Sequence, residues 1–285
     1  MSLQAPDEET LFALRVRYVK RGRLRYLSHL EVLRAVERLV RRAHLPYAVT
    51  RGFSPHMKAA YGPALPVGVA SRDEWFDVYL TDLAPAGEYL EALRAASAPD
   101  LMPQQAAYVS LRSPSLSAAL TISEYAAHVV PVDEAGAPVR AGGPELRALA
   151  RHLEGACSSV LSAGSITYER NGKPKAVALE GKVARLPAVG VLPDVAPEVR
   201  DESDAPLPCA CVSFATRSSN AGALRPDVLM GAVLASLGRD AAVGREEGPG
   251  GSVPGVSSWA ERVRVLVVRV AQHLESEDGT WVRPI

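Results

Sequence analysis

Three cysteines in 285 residues, Cys157, Cys209 and Cys211, are too few and too odd in number to staple a chain of this length, so no disulfide framework is implied. No apolar run reaches the length that spans a bilayer. The opening MSLQAPDEETLFALRV is acidic where a secretion signal would be basic. A cytoplasmic protein that does not enter membranes is the expectation. Also missing are a Walker-type phosphate loop, a Rossmann glycine fingerprint, a G-x-S-x-G elbow and an H-E-x-x-H helix. GREEGPGGSVPG is glycine-rich, but it is acidic and lacks the lysine of a phosphate cradle. NTPase and dehydrogenase readings therefore fall away. Cys209 and Cys211 alternate with Ala210 and Val212, which places both sulfurs on one face of a strand. A buried apolar role is favoured over a metal or redox one, because no third and fourth ligand stands at zinc spacing.

With 47% hydrophobic and 22% charged residues, the chain can bury one large core or two ordinary ones. Its formal charge is +0, and taken alone that argues against a nucleic-acid protein. The average hides an asymmetry. Residues 11–60 hold twelve cations (Arg15, Arg17, Lys20, Arg21, Arg23, Arg25, Arg34, Arg38, Arg41, Arg42, Arg51 and Lys58) against only Glu31 and Glu37, an excess of ten. The remainder carries the balancing negative charge. A GC-rich genome explains a preference for arginine, but not its clustering without carboxylates.

FALRVRYV (12–19) alternates apolar and basic side chains, the period of a strand with a buried face and a wet one. Arg15 and Arg17 are expected on the wet face. In the following YLSHLEVLRAVERLVRRA, Ser28 and Glu31 form an S-x-x-E capping box. Val32, Val36, Leu39, Val40 and Ala43 make one helical stripe, with Arg34, Arg38, Arg41 and Arg42 opposite. An ordinary solvated face would interleave carboxylates at i+4. Pro46 ends the helix, PYAVT reads as a second strand, and EWFDVYL as a third. A helix over 85–97 and a strand over 104–111 complete the order strand, helix, strand, strand, helix, strand, the split βαβ pattern. Further on, strands over 118–130 and 208–216, helices over 143–161 and 225–237, a hairpin turning at Asn171 and Gly172, and the strand VRVLVVRVAQ repeat that theme. The expected fold is α+β: two tandem ferredoxin-like halves over 10–112 and 117–285, with flexible loops at 187–206 and 239–257.

In the loop RGFSPHMK, Gly52 permits a sharp turn, and Arg51, His56 and Lys58 bracket Phe53. An aromatic ring among cations can stack on a base while the cations hold phosphates. The competing reading makes Phe53 a core plug. His29 and His56 are the weak candidates for a general acid or base. A hydrogen-bonded or anion-contacting role is favoured for both.

YLSHLE with its basic helix, LPYAVTRGFSPH and LPVGVASRDEWFDVYL resemble the radical-SAM-associated domain family carried as DUF2344. ERNGKPKAVAL, LRPDVLMGAVLASLG and DGTWVRP resemble its later half. Members occur free-standing or fused behind a radical SAM module, often encoded near an RNA-processing nuclease and ribosomal proteins. The resemblance implies an accessory role in RNA- or ribosome-linked modification, with a radical SAM protein and tRNA or rRNA as partners. S-adenosylmethionine and an iron–sulfur cluster enter only through that partner, because the chain has no C-x-x-x-C-x-x-C. The family supplies no catalytic residues to carry over. No cofactor, metal or DNA specificity is expected of this chain itself. Two alternatives stay open: a stand-alone RNA-processing or RNA-modifying enzyme, and an adaptor whose basic face docks an acidic protein. On the leading reading, the RNA-binding residues are Arg21, Arg23, Arg25, Arg34, Arg38, Arg41, Arg42, Arg51, Phe53, His56 and Lys58.

Overall fold

The alternation in FALRVRYV produces the first strand, β1 (Phe12–Lys20), and the S-x-x-E signature produces the helix after it, α1 (His29–Arg42). The Ser28 hydroxyl accepts from the Glu31 N–H, while the Glu31 carboxylate accepts from the Ser28 N–H at 2.8 Å. Two of the free donors at the helix start are satisfied this way. The other end closes as a Schellman turn: His44 N–H donates to Arg41 O, and Leu45 N–H to Val40 O. That turn holds His44 at φ +54°, a conformation usually left to glycine. The computed structural model describes residues 10–192, 207–219, 222–243 and 262–285. Five α-helices and twelve strands among them make an α+β protein. Two units are resolved: unit 1 is Met1–Leu120 with Gln272–Ile285, and unit 2 is Thr121–Ala271.

Unit 1 continues with β2 (Ala59–Tyr61), β3 (Ala70–Leu80), α2 (Ala86–Ala96), β4 (Pro103–Val109) and the single turn α3 (Leu116–Ala119). β1 lies between β3 and β4, antiparallel to both, and β2 pairs antiparallel with β3. Leu14, Val16 and Tyr18 of β1, and Phe76, Val78 and Leu80 of β3, join Val32, Val36, Leu39 and Val40 of α1 and Leu93 of α2 in one core. PYAVT does not become a strand. Tyr47 and Val49 make isolated bridges to Leu80 and Met57. Pro46 has no N–H to donate, and these residues meet only the last turn of pairing on β3. The second strand falls instead at Ala59–Tyr61, just beyond the RGFSPHMK loop.

The opposite face of the same strands overturns the expectation of a solvated Arg15 and leaves Arg17 only partly exposed. Arg15 is 4% exposed and grips Asp77 with two bonds, at 2.8 and 2.9 Å. Arg17 reaches Asp73 at 3.9 Å, and Arg283 donates to Asp73 at 2.8 Å. The Gln272 N–H also donates to the Asp73 carboxylate. Trp75 packs there with Leu116, Leu120, Leu274 and Ile285. Alternation reports a period, not what covers a face, and here residues 272–285 provide the cover. Lys20, on the helix face, is buried too and donates to Leu27 O at 2.8 Å.

Unit 2 is built from β5 (Leu120–Pro131), α4 (Gly143–Ser162), β6 (Ser165–Arg170), β7 (Lys173–Ala178), β8 (Val183–Leu192), β9 (Cys209–Ser219), β10 (Gly222–Ala223), α5 (Pro226–Val243) and β11 (Val263–Glu275). β9 pairs with β5 on one side and with β8 and β10 on the other. Leu146, Leu149, Leu153 and Val160 of α4 are buried, as are Leu229, Met230, Val233 and Leu237 of α5. α4 packs on α5, β8 and β9. β6 and β7 form a separate ribbon. Its turn holds Asn171 at φ +55° and Gly172 at φ +70°, the geometry that selects Asn-Gly. The part of β11 beyond Ala271 belongs to unit 1, where β12 (Trp281–Val282) pairs with Leu274 and Glu275. The loop expected over 187–206 is corrected at its start: 187–192 belong to β8, with Pro187 inside a register shift between Arg185 and Ala188. A bulge is where a strand tolerates proline. Residues 193–206 lie outside the described residues. Likewise 239–243 end α5, and 244–257 lie outside the described residues.

Removing Asp77 strands a buried guanidinium. Asp77→Ala is expected to lose about 3–5 kcal/mol in urea denaturation followed by circular dichroism, and Arg15→Met with Asp77→Leu far less. His44→Gly relieves the left-handed residue and is expected to gain about 1 kcal/mol in the same assay.

Candidate nucleic-acid interface

Burial of the stripe Val32, Val36, Leu39 and Val40 forces the other side of α1 into solvent. Arg34, Arg38, Arg41 and Arg42 are all exposed there. They are not equally engaged. Arg41 pairs with Glu37 at 3.3 Å, and Arg42 donates to Ala96 O at 2.7 Å. Arg34 and Arg38 make no ion pair or hydrogen bond among the described residues. Before the helix, a 3₁₀ turn over Gly22–Tyr26 carries Arg23 and Arg25, with Arg21 as its N-cap. Arg21 is held by Pro99 O and lies 3.6 Å from the Asp100 carboxylate, Arg25 lies over the Tyr26 ring, and Arg23 is unengaged among the described residues. Gly22 opens this turn at φ +52°, and a Cβ there would strike the Asp100 carboxylate at 2.1 Å. Arg15, Arg17 and Lys20 contribute to the internal structure instead, so nine of the twelve clustered cations remain for an outward role.

The RGFSPHMK loop is a short hairpin tip. Thr50 N–H donates to His56 O, and His56 N–H donates to the Thr50 hydroxyl. The His56 Nδ1 lies 3.1 Å from both Ser54 O and the Thr50 hydroxyl, so the ring is held against its own loop. Phe53 is fully exposed at the tip, so it is not a core plug. Beside it lie Arg51, also unengaged among the described residues, and a shallow groove lined by Leu11, Val49, Lys58 and Leu111. Lys58 sits over the Tyr79 ring at 4.9 Å.

α1 joins the 3₁₀ turn at its start to the hairpin side at its end. With 14 residues it spans about 21 Å. Arginines line that length, with an exposed aromatic at each end: Tyr26 at 54% and Phe53 at 112% exposure. Tyr26, Leu30 and Val67, all more than half exposed, were not singled out in the sequence. The signal was there in RLRYLSHL, where apolar residues sit among cations before the helix begins.

His29 and His56 are not brought together. His29 lines a recess with Lys20, Glu74, Tyr18 and Tyr61, with room for about one water molecule. His56 lies beyond the other end of β3, where Lys58 bonds Tyr79. The stretch of β3 from Glu74 to Tyr79 alone spans about 17 Å. Burial lowers the His29 pKa below the ordinary imidazole value; Glu74 opposes that shift, and Lys20 adds to it. Burial, reinforced by Glu37, pushes the Tyr61 hydroxyl up to about 12.

Cys157 lies on α4, and Cys209 and Cys211 on β9, all buried. Burial pushes the thiols of Cys157 and Cys209 up to about 11 and about 12, as expected of side chains packed in a core. Among the described residues no group of three His, Cys, Asp or Glu side chains is placed to hold a metal ion, and no helix is long and apolar enough to cross a membrane.

Because the His29 pKa is depressed in the folded state, its contribution to stability is complete above about pH 6.5 and is lost as pH falls through the folded value. His29→Gln is expected to flatten that part of the stability–pH profile, with the ring resonances of wild-type His29 titrating below about pH 6.5 in NMR.

No curated protein matches the chain. A crystal structure of an unknown protein from Galdieria sulphuraria is similar at 13% identity, with 92% of this chain and 99% of that one covered and a TM-score of 0.22, too low to inform the fold. The family described as "Uncharacterized protein conserved in bacteria (DUF2344)" matches residues 13–193, from the second residue of β1 through the basic helix, the hairpin tip and the β6–β7 ribbon. The chain belongs to that DUF2344 family.

Proposed function

We propose that unit 1 binds single-stranded RNA along α1, with phosphates on Arg23, Arg34, Arg38 and Arg51 and bases stacked on Phe53 and Tyr26. The observation that carries this reading is the row of unengaged arginines between two exposed aromatic rings, since single-strand binders combine cationic tracks with stacking platforms. Arg21, Arg25, Arg41, Arg42, His56 and Lys58 flank the row and are held by protein partners, which suits positioning more than capture. The antiparallel order β4–β1–β3–β2, with both helices on one face, supports reading unit 1 as a split βαβ domain. We read unit 2 as a more elaborate α+β domain, with a ribbon and an extra strand inserted between its two long helices.

On this reading the chain holds or presents RNA, and the chemistry belongs to a radical SAM enzyme that brings S-adenosylmethionine and its cluster. The separation of His29 from His56, and the small size of the recess at His29, with room for about one water molecule, favour presentation over catalysis by the chain alone.

A fluorescein-labelled single-stranded RNA followed by anisotropy tests the interface. Wild type is expected to bind at low salt, with a log–log salt slope of about −0.7 per phosphate neutralised. Arg34→Glu with Arg38→Glu should weaken binding about tenfold or more and flatten the slope. Phe53→Ala should cost about 1–3 kcal/mol with little change in slope, the signature of stacking. Unchanged affinity in the arginine variant overturns the assignment.

A further inference from the structure

The β6–β7 ribbon of unit 2 places a second set of cations by register. Tyr168 stands opposite Lys175 and Arg170 opposite Lys173, with Ile166 opposite Val177 at the base. Side chains alternate along a strand, so Tyr168, Arg170, Lys173 and Lys175 all lie on the face that buries Ile166. Glu169 and Thr167 fall on the other face, opposite Pro174 and Ala176. One face thus carries an aromatic ring and three cations and no carboxylate. Arg170, Lys173 and Lys175 are exposed and make no ion pair or hydrogen bond among the described residues. Like charges directly across a strand pair destabilise it. Arg170 opposite Lys173, beside a two-residue turn, is therefore a placement that stability alone does not favour.

Next to the ribbon runs an open groove between β6 and α5. Its α5 wall is Val228, Gly231, Ala232 and Ala235, small side chains that let an extended strand approach closely. Its charged groups are Glu169, Arg170 and the Arg225–Asp227 pair, the last bonded at 2.7 Å. Those charges balance, so the positive excess comes from Lys173 and Lys175.

We infer that this ribbon face is a second contact for the sugar–phosphate backbone of RNA, with Tyr168 stacking on a base and α5 forming the floor beside it. The inference rests on the RNA reading of unit 1 for the class of ligand, but on the ribbon's own register for the site. A two-stranded ribbon presenting cations and one aromatic ring fits a polyanion whose charges repeat along a flexible strand.

The test uses the full chain and a fluorescein-labelled 20-nucleotide uridine RNA. Replacing Arg170, Lys173 and Lys175 together by Gln should weaken binding about tenfold and reduce the salt slope by about 2, at about 0.7 per contact. Lys173→Glu creates a cross-strand pair with Arg170, so it should raise the melting temperature while weakening RNA binding. A purely structural ribbon would show the first effect without the second. If the glutamine variant binds RNA as wild type does while Arg34→Glu with Arg38→Glu fails, the ribbon assignment is overturned and the unit 1 interface stands. If only the ribbon variant fails, the ribbon site stands and the unit 1 interface is overturned. A labelled poly-glutamate peptide that binds as tightly as the RNA, and is lost in the ribbon variant, overturns the RNA assignment in favour of an acidic protein partner.

Discussion

Two carboxylates on β3, Asp73 and Asp77, determine how unit 1 is assembled. Each is buried, and each must meet a guanidinium or leave a charge stranded in the interior. Asp77 is satisfied within the sheet by Arg15 on the adjacent strand. Asp73 is not, because Arg17 approaches only to 3.9 Å. Its remaining valence is filled by Gln272 and Arg283, far along the chain. The burial of Trp75 and the docking of Leu274 and Ile285 follow from that tie.

This buried layer also sorts the arginines. A count over residues 11–60 treats them alike, yet the sheet buries Arg15 and Lys20 and holds the partly exposed Arg17 near Asp73, while α1 and the loops turn the others outward. Within the outward set, Arg41, Arg42, Arg21 and Arg25 have intramolecular partners, whereas the side chains of Arg23, Arg34, Arg38 and Arg51 make no ion pair or hydrogen bond among the described residues. The track along α1 is therefore sparser than the composition suggests, and more ordered, since its cations are spaced along a capped helix between Tyr26 and Phe53.

Local rules were legible wherever one residue's chemistry decides the geometry. The Ser28–Glu31 box, the stripe on α1 and the Asn171–Gly172 turn all stand as their side chains dictate. The reading failed where a distant segment decides. Arg15 in a perfect alternation looks solvated until Gln272–Ile285 is laid over it, and no window on β1 contains that information. PYAVT has the composition of a strand, but it meets β3 only at Tyr79 and Leu80, where there is little left to pair with. Tyr168, Arg170, Lys173 and Lys175 were visible as residues, but their common face depends on register, which the turn sets.

The tie between Asp73 and the last residues has a consequence in time. A ribosome delivers β1 to α3 first, and must then add all of Thr121–Ala271 before Gln272 and Arg283 emerge. At bacterial elongation rates that interval is roughly ten to thirty seconds. During it the nascent sheet carries Asp73 without its principal partners and Trp75 without its cover. Unit 1 thus starts before unit 2 and is completed only after it, because the segment that closes its buried layer follows Thr121–Ala271 in the chain.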